Sequence, residues 1–169
     1  MAVDNPFTRI LQAHADRPSD ARRRAVTASI GDTIPFVGTA GLTIETYTPT
    51  CVAARLDNQS HVRNHIGGLH AAAMTLLVET VTGLVVALNV PDDSVPIIRA
   101  LDVSFERRAE PPLHAEATLS DAEAHRIQTS PIGKIEVPVT VRDAADHAPI
   151  ACALHWAWIP SDRAQRSAA

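Results

Sequence analysis

Aromatic residues are scarce in this chain, 4% of 169 positions. That is too few to build a stacking platform for single-stranded nucleic acid. Positive charge is not in excess either: the formal net charge is −4, so no basic footprint faces a phosphate backbone. Cysteine occurs twice, as Cys51 and Cys152, without a CxxC spacing. This argues against a disulfide framework and leaves two packing thiols in a reducing, cytoplasmic setting. HExxH is missing, and His61, His65 and His70 do not repeat the spacing of a helical ligand pair, so no metal or other cofactor is expected. The opening "MAVDNPFTRILQAHADRPSD" lacks the basic-then-apolar pattern of a secretory signal. No internal repeat or shift in composition divides the chain.

What is present is a globular composition. Hydrophobic residues make up 46% and charged residues 20%, too apolar for a disordered chain. The length suits one domain. Residues 6–28 read as helical with an interruption at Pro18, and "RRRA" from Arg22 reads as a solvated helix face. "IPFVGTAG" reads as a turn. "LTIETYTP" and "TCVAARLD" alternate apolar and polar residues and read as two strands.

Between Ile66 and Val90 the apolar residues become nearly continuous. The run is long enough to suggest a membrane span, but Glu79 stands in its middle, where a charge costs about 2.5–3.5 kcal/mol on insertion scales. A helix buried on all sides is the better reading. Four strand-like segments follow: "IIRALDVSFERRA", "LHAEATLSDAEA", "GKIEVPVTVRD" and "PIACALHWAWIP", separated by "EPP", "SPIG" and "AADHAP". In the last segment Trp156 and Trp158 alternate with Ala157 and share one face, for core or dimer packing. The expected order is a short helical lead (1–33), a domain of strands around one long helix (34–160), and a tail that frays (161–169). A flat sheet cannot cover a fully apolar helix. A sheet curved around it, completed by a partner subunit, can.

This layout and the stretch "HVRNHIGGLHAAAMTLLVETVTG" (His61 to Gly83) resemble the hotdog fold, and within it the PaaI-like acyl-CoA thioesterases and relatives similar to the C-terminal domain of YiiD. That family enters its helix through Asn-x-x-Gly-x-x-His-Gly-Gly, followed by Leu-Ala-Asp-Thr-Ala. Asn64, Gly67 and His70 fall in step, and "LVETV" puts Glu79 at the position of the family's catalytic aspartate. "LDVSFERRAEPPLHAEATL" resembles the family's third and fourth strands. Two departures stand out: Ala71–Ala72 in place of the glycine pair, and Glu in place of Asp. The resemblance implies an α+β hotdog fold, an acyl-CoA thioester substrate, and a homodimer, or a dimer of dimers, with two shared sites.

The residues have a chemistry of their own. Thioester hydrolysis needs an attacking group and donors for the developing oxyanion. Gly67 and Gly68 precede the helix, where N–H groups are unpaired and a substrate can approach bare backbone. The N–H of Gly68 or Leu69 is the candidate oxyanion donor; otherwise the glycines simply make the turn. Glu79, among apolar neighbours, should have its pKa raised, as suits a general base. Its alternative is a structural carboxylate satisfied by Thr75, Thr82 or a backbone donor. Asn64 either orients water or the thioester carbonyl, or caps the helix. His70 either steadies the loop or substrate, or packs. Arg107 and Arg108 are candidates for CoA phosphates, only one of which should face a given side.

Gly67 and Glu79 are twelve positions apart, about 18 Å on a continuous helix. They cannot serve one carbon from one chain, so a shared site requires two. Two other readings compete. His65 and Glu79 have a spacing similar to that of hotdog β-hydroxyacyl dehydratases, although the prolines typical of those enzymes are missing. A non-catalytic acyl-CoA-binding protein is favoured by the Glu and the Ala71–Ala72 departures.

Overall fold

A computed structural model describes residues 3–162 and residue 164. Three helices lead the chain: α1 (Pro6–Ala13), α2 (Ser19–Thr33) and α3 (Pro35–Ala40). Strands β1 (Thr43–Thr48) and β2 (Cys51–Leu56) precede the long helix α4 (Ala71–Ala87). Then come β3 (Ser94–Phe105), β4 (Leu113–Thr118), α5 (Asp121–Thr129), β5 (Gly133–Glu136), β6 (Val139–Arg142) and β7 (Ile150–Pro160). Most of the tail expected to fray lies outside the described residues; Ser161, Asp162 and Ala164 are helical.

The strands pair antiparallel in the orders β1-β2-β4-β6 and β3-β7-β5. The two pieces meet at Val137–Pro138. The Val137 N–H donates to the Leu154 carbonyl on β7, and the Pro138 carbonyl accepts from Thr118 at the end of β4. Proline has no N–H to carry the ladder on, so the strand expected across "GKIEVPVTVRD" breaks there and changes partner. The result is one curved surface. Helix α4 packs against β2, β3, β4, β6 and β7 within it.

Two other expectations change. "IPFVGTAG" is helical, with Pro35 opening α3 and Gly41 closing it at φ 70°. The end of "LHAEATLSDAEA" is the start of α5, not strand. Ser120 accepts from the Glu123 N–H, and the Glu123 carboxylate returns to the Ser120 N–H, a reciprocal cap.

The ends of α4 explain its placement. His70 is extended and its Nδ1 accepts from the Ala72 N–H at 3.0 Å, closing the N-terminus. At the other end two buried asparagines satisfy the last carbonyls, which have no partner inside a helix. Asn89 Nδ2 donates to Val85 O, and Asn5 Nδ2 donates to both Ala87 O and Val90 O at 2.8 Å. The Asn5 oxygen meanwhile caps α1 through the N–H groups of Phe7 and Thr8. One side chain, 2% exposed, therefore ties the first helix to the central one. Asn5→Ala should lower stability by roughly 2–4 kcal/mol, the sum of a lost cap and newly unpaired carbonyls. Asn5→Asp keeps the acceptor and loses the donor, so it should not recover the α4 part. Urea unfolding of the three proteins checks both statements.

Trp156 and Trp158 are core residues, 6% and 1% exposed. The Trp156 ring lies so close to α4 that a Cβ at Gly83 would stand 2.7 Å from it. Its indole N–H donates to Thr82 Oγ1 at 3.0 Å. Among the described residues no helix is long and apolar enough to cross a membrane.

Candidate functional site

The loop from His61 to His70 is organised by Asn64. Its Oδ1 accepts from the N–H groups of Ile66 (3.1 Å) and Gly68 (3.0 Å), and its Nδ2 donates to Leu69 O (3.2 Å). The backbone adds Asn64 N–H to Gly68 O and Gly67 N–H to Asn64 O. This tight ring places Gly67 at φ 77°, a conformation glycine adopts without strain. Asn64 thus holds the loop and leaves one Nδ2 hydrogen over. The helix cap is His70, which is exposed rather than packed. Because its Nδ1 accepts, the neutral ring carries its proton on Nε2, which is left as a donor.

The loop also sorts the candidate oxyanion donors. The Gly67 and Gly68 N–H groups are engaged by Asn64. Among the described residues nothing accepts from the N–H of Leu69 or of Ala71, the first residue of α4. Of the two arginines, Arg108 comes to this loop: its Nε lies 3.7 Å from where a Gly68 Cβ would stand. Arg107 faces Glu110, 3.9 Å away. His65 is exposed in the same loop.

Glu79 lies elsewhere, midway along α4. The helix begins at Ala71, later than the spacing from Gly67 assumed, so Glu79 is eight residues into it, about 12 Å along the axis. Nor is α4 buried on every side. Ala71, Ala72, Thr75, Leu76, Glu79 and Gly83 form a partly open stripe, while the rest of the helix is covered. The Glu79 carboxylate is half-buried and has no hydrogen-bond partner among the described residues. Thr82 does not serve it, because that hydroxyl bonds the carbonyls of Val78 and Glu79. Removal from water raises the Glu79 pKa above the ordinary glutamate value.

Glu79 borders a cavity of about 100 Å³ lined also by Phe7, Ile34, Thr80, Gly83, Pro96 and Trp156. Phe7 and Ile34 were missed in the sequence because one lies in the helical lead and the other at its boundary with the strand domain, between α2 and α3. The one available signal was the apolar spacing of Phe7, Ile10 and Leu11, which marks α1 as a docked helix.

An antiparallel sheet curved around one central helix is the hotdog fold, and this chain has it. The chain belongs to the family described as "Domain of unknown function (DUF4442)", whose family model matches residues 22–159. Its fold is similar to that of a Pseudomonas aeruginosa protein described as a "Protein of Unknown Function" and "Probable Thioesterase". The two are 21% identical with a TM-score of 0.71, covering 85% of this chain and 96% of that one. A Haemophilus influenzae thioesterase is 15% identical with a TM-score of 0.62, covering 79% and 90%. A thioesterase family protein from Silicibacter pomeroyi is 12% identical with a TM-score of 0.62, covering 80% and 96%. No curated protein matches the chain.

Proposed function

We propose that this protein hydrolyses acyl-CoA or related acyl thioesters at a site shared by two copies of the chain. The observation that carries the reading is an unpaired, half-buried carboxylate on the open stripe of the central helix. Glu79 acts as general base or nucleophile. In the base form it takes a proton from water as the oxygen attacks the thioester carbon. The resulting oxyanion is held by the free N–H groups of Leu69 and Ala71 of the other chain, with the His70 Nε2–H beside them. Collapse expels the CoA thiolate, which recovers the proton from Glu79. Arg108, beside Gly68, is placed to meet a CoA phosphate at the mouth.

Support for a dimer comes from two features: the α4 stripe, open in one chain, and β3, a long strand that among the described residues is paired on one side only, by β7. An unpaired edge of that length is a ready template for a second copy. A dimer of dimers would extend it. The two free cysteines accord with the cytoplasm. The names of the structural neighbours accord with thioester chemistry. The test is a screen of acyl-CoA substrates with free-thiol detection. Thiol release is the expected result. Double-bond formation without thiol release would instead establish a dehydratase, and binding without turnover a ligand-binding protein.

A further inference from the structure

The arginine run at residues 22–24 takes no part in the thioester site. All three side chains are exposed, yet they are not simply turned to solvent. Arg22 and Arg23 stand one turn ahead of Val26 on α2, and Arg24 one turn ahead of Thr27 and Ala28. Val26 is buried in the core, and Thr27 Oγ1 accepts from the Ile44 N–H of β1 at 3.0 Å. The run is therefore carried on the side of α2 that faces β1. Two adjacent cavities open there. One, of about 320 Å³, has Ser19, Arg22, Arg23, Glu45 and Thr46 in its lining. The other, of about 540 Å³, has Asp20, Arg23, Arg24, Glu45, Arg55 and Asp57. Both volumes are in the roughly 300–1,000 Å³ range of small-molecule sites. Arg23 and Glu45 border both, so the two form one trough. No residue of α4 or β3 lines either, so the trough lies apart from the surfaces given to a second copy.

The charges in the trough do not cancel. Its three carboxylates are engaged. Asp20 accepts from Arg23 Nη2 at 2.6 Å, and Asp57 accepts from Arg55 through Nε and Nη2 at 3.1 and 2.5 Å. Glu45 Oε2 lies 2.9 Å from His114 Nδ1. Arg22 and Arg24 have no carboxylate partner among the described residues. Each cavity thus has one guanidinium to spare, on a chain whose formal net charge is −4. A guanidinium presents a planar fork of donors that matches phosphate and carboxylate oxygens. Hydroxyls add donors: Ser19 and Thr46 in the first cavity, Thr43 in the second.

We infer that this trough binds a small molecule with two anionic groups, phosphates or carboxylates. Arg22 meets one group in the first cavity, Arg24 meets the other in the second, and Arg23 stands between them. The occupant bridges the helical lead to Arg55 on β2. The inference does not rest on the thioesterase reading.

The experiment titrates fructose 1,6-bisphosphate and fructose 6-phosphate calorimetrically into the full chain at low ionic strength, where charge contacts are least screened. The two probes differ by one phosphate. The bisphosphate should bind about tenfold tighter or more, as one further hydrogen-bonded charge contact provides. Arg22→Gln and Arg24→Gln should each remove most of that difference, with thermal melting showing both folded. Arg126→Gln, on α5, should leave it unchanged. Adipate and hexanoate repeat the comparison with carboxylates. An advantage for adipate alone makes the occupant a dicarboxylate. CoA has phosphates of its own and is titrated too. Weakening by Arg22→Gln and Arg24→Gln makes the trough the seat of the CoA phosphates, and indifference makes the occupant a separate molecule. Equal affinity within both probe pairs, or no binding of any probe, would overturn the inference. So would an advantage of the second anionic group that survives both substitutions, and its loss in Arg108→Gln instead would place the anion at the loop.

Discussion

Glu79→Gln is expected to slow thioester hydrolysis by about 10²-fold or more and, at the same time, to make the protein more stable. The loss in rate follows from removing a general base, which contributes roughly 10²–10⁴-fold. The gain in stability follows from where the carboxylate sits. It is half-buried, unpaired and bordered by Phe7, Ile34 and Trp156, so its charged form is poorly solvated. Its pKa in the fold is raised from 4.5, and the folded chain therefore binds more protons than the unfolded chain above that pH. The contribution to stability is fully present below pH 4.5 and is lost as pH rises through the raised pKa. Glutamine escapes that loss. The difference in melting temperature between variant and wild type should thus widen from about pH 4.5 upward and then level off. The rate should show the same group with the opposite consequence, since kcat/KM must rise with pH as the base ionises. Thiol-release assays and melts across this range check both. A variant that hydrolyses at nearly the wild-type rate would make Glu79 structural. A variant less stable than wild type would mean that the carboxylate has a partner.

The elements that could be read from sequence are those whose signals are local. Helix α4 was legible because its apolar run is long, and β1, β2 and β7 because they alternate. The errors have physical causes. "LHAEATLSDAEA" keeps an alternating look past Thr118, although Ser120 and Glu123 already form a helix-starting pair. "GKIEVPVTVRD" reads as one strand because a partner change at Pro138 is a property of two neighbouring strands, not of the segment. The site divides in the same way. Glu79 stood out as a charge within an apolar run, and Asn64 and Gly67 as loop-formers. Which loop amides remain free depends on the Asn64 side chain folding back onto Gly68, a contact that spacing does not encode. The Phe7 and Ile34 walls are further still from the local signal. Phe7 comes from α1, which reaches α4 through Asn5, whose double role shows only when both helix ends are in place, and Ile34 from the junction of α2 and α3.

Two inactive variants, Gly68→Val and Glu79→Gln, should regain activity when mixed. Within one chain Glu79 is eight residues into α4, about 12 Å from its start along the axis, and the free N–H groups of Leu69 and Ala71 lie at or before that start. A carboxylate and oxyanion donors acting on one thioester must be a few ångströms from the same carbon. If both act on one thioester, as proposed, they come from different chains. Gly68 is the residue to alter in the loop. Gly68 is buried, and its Cβ would meet Arg108 and Asn64 at 3.7 Å, ordinary contact, so a side chain can start there next to the Leu69 N–H, and thermal melting of Gly68→Val checks that its branches leave the fold intact. Gly67 would serve worse, because a side chain there is strained at φ 77°. Each homodimer is dead for its own reason, one for want of the base and the other for want of access. A heterodimer has one site with both defects. Its second site takes the loop of the Glu79→Gln chain and the carboxylate of the Gly68→Val chain, and is intact. With random exchange and independent sites, half the dimers are mixed and half of their sites work, so activity should return to about a quarter of wild type. Native mass spectrometry establishes that mixed dimers have formed, and thiol release reads the result. Mixed dimers that stay inactive would show that loop and carboxylate do not meet across two chains.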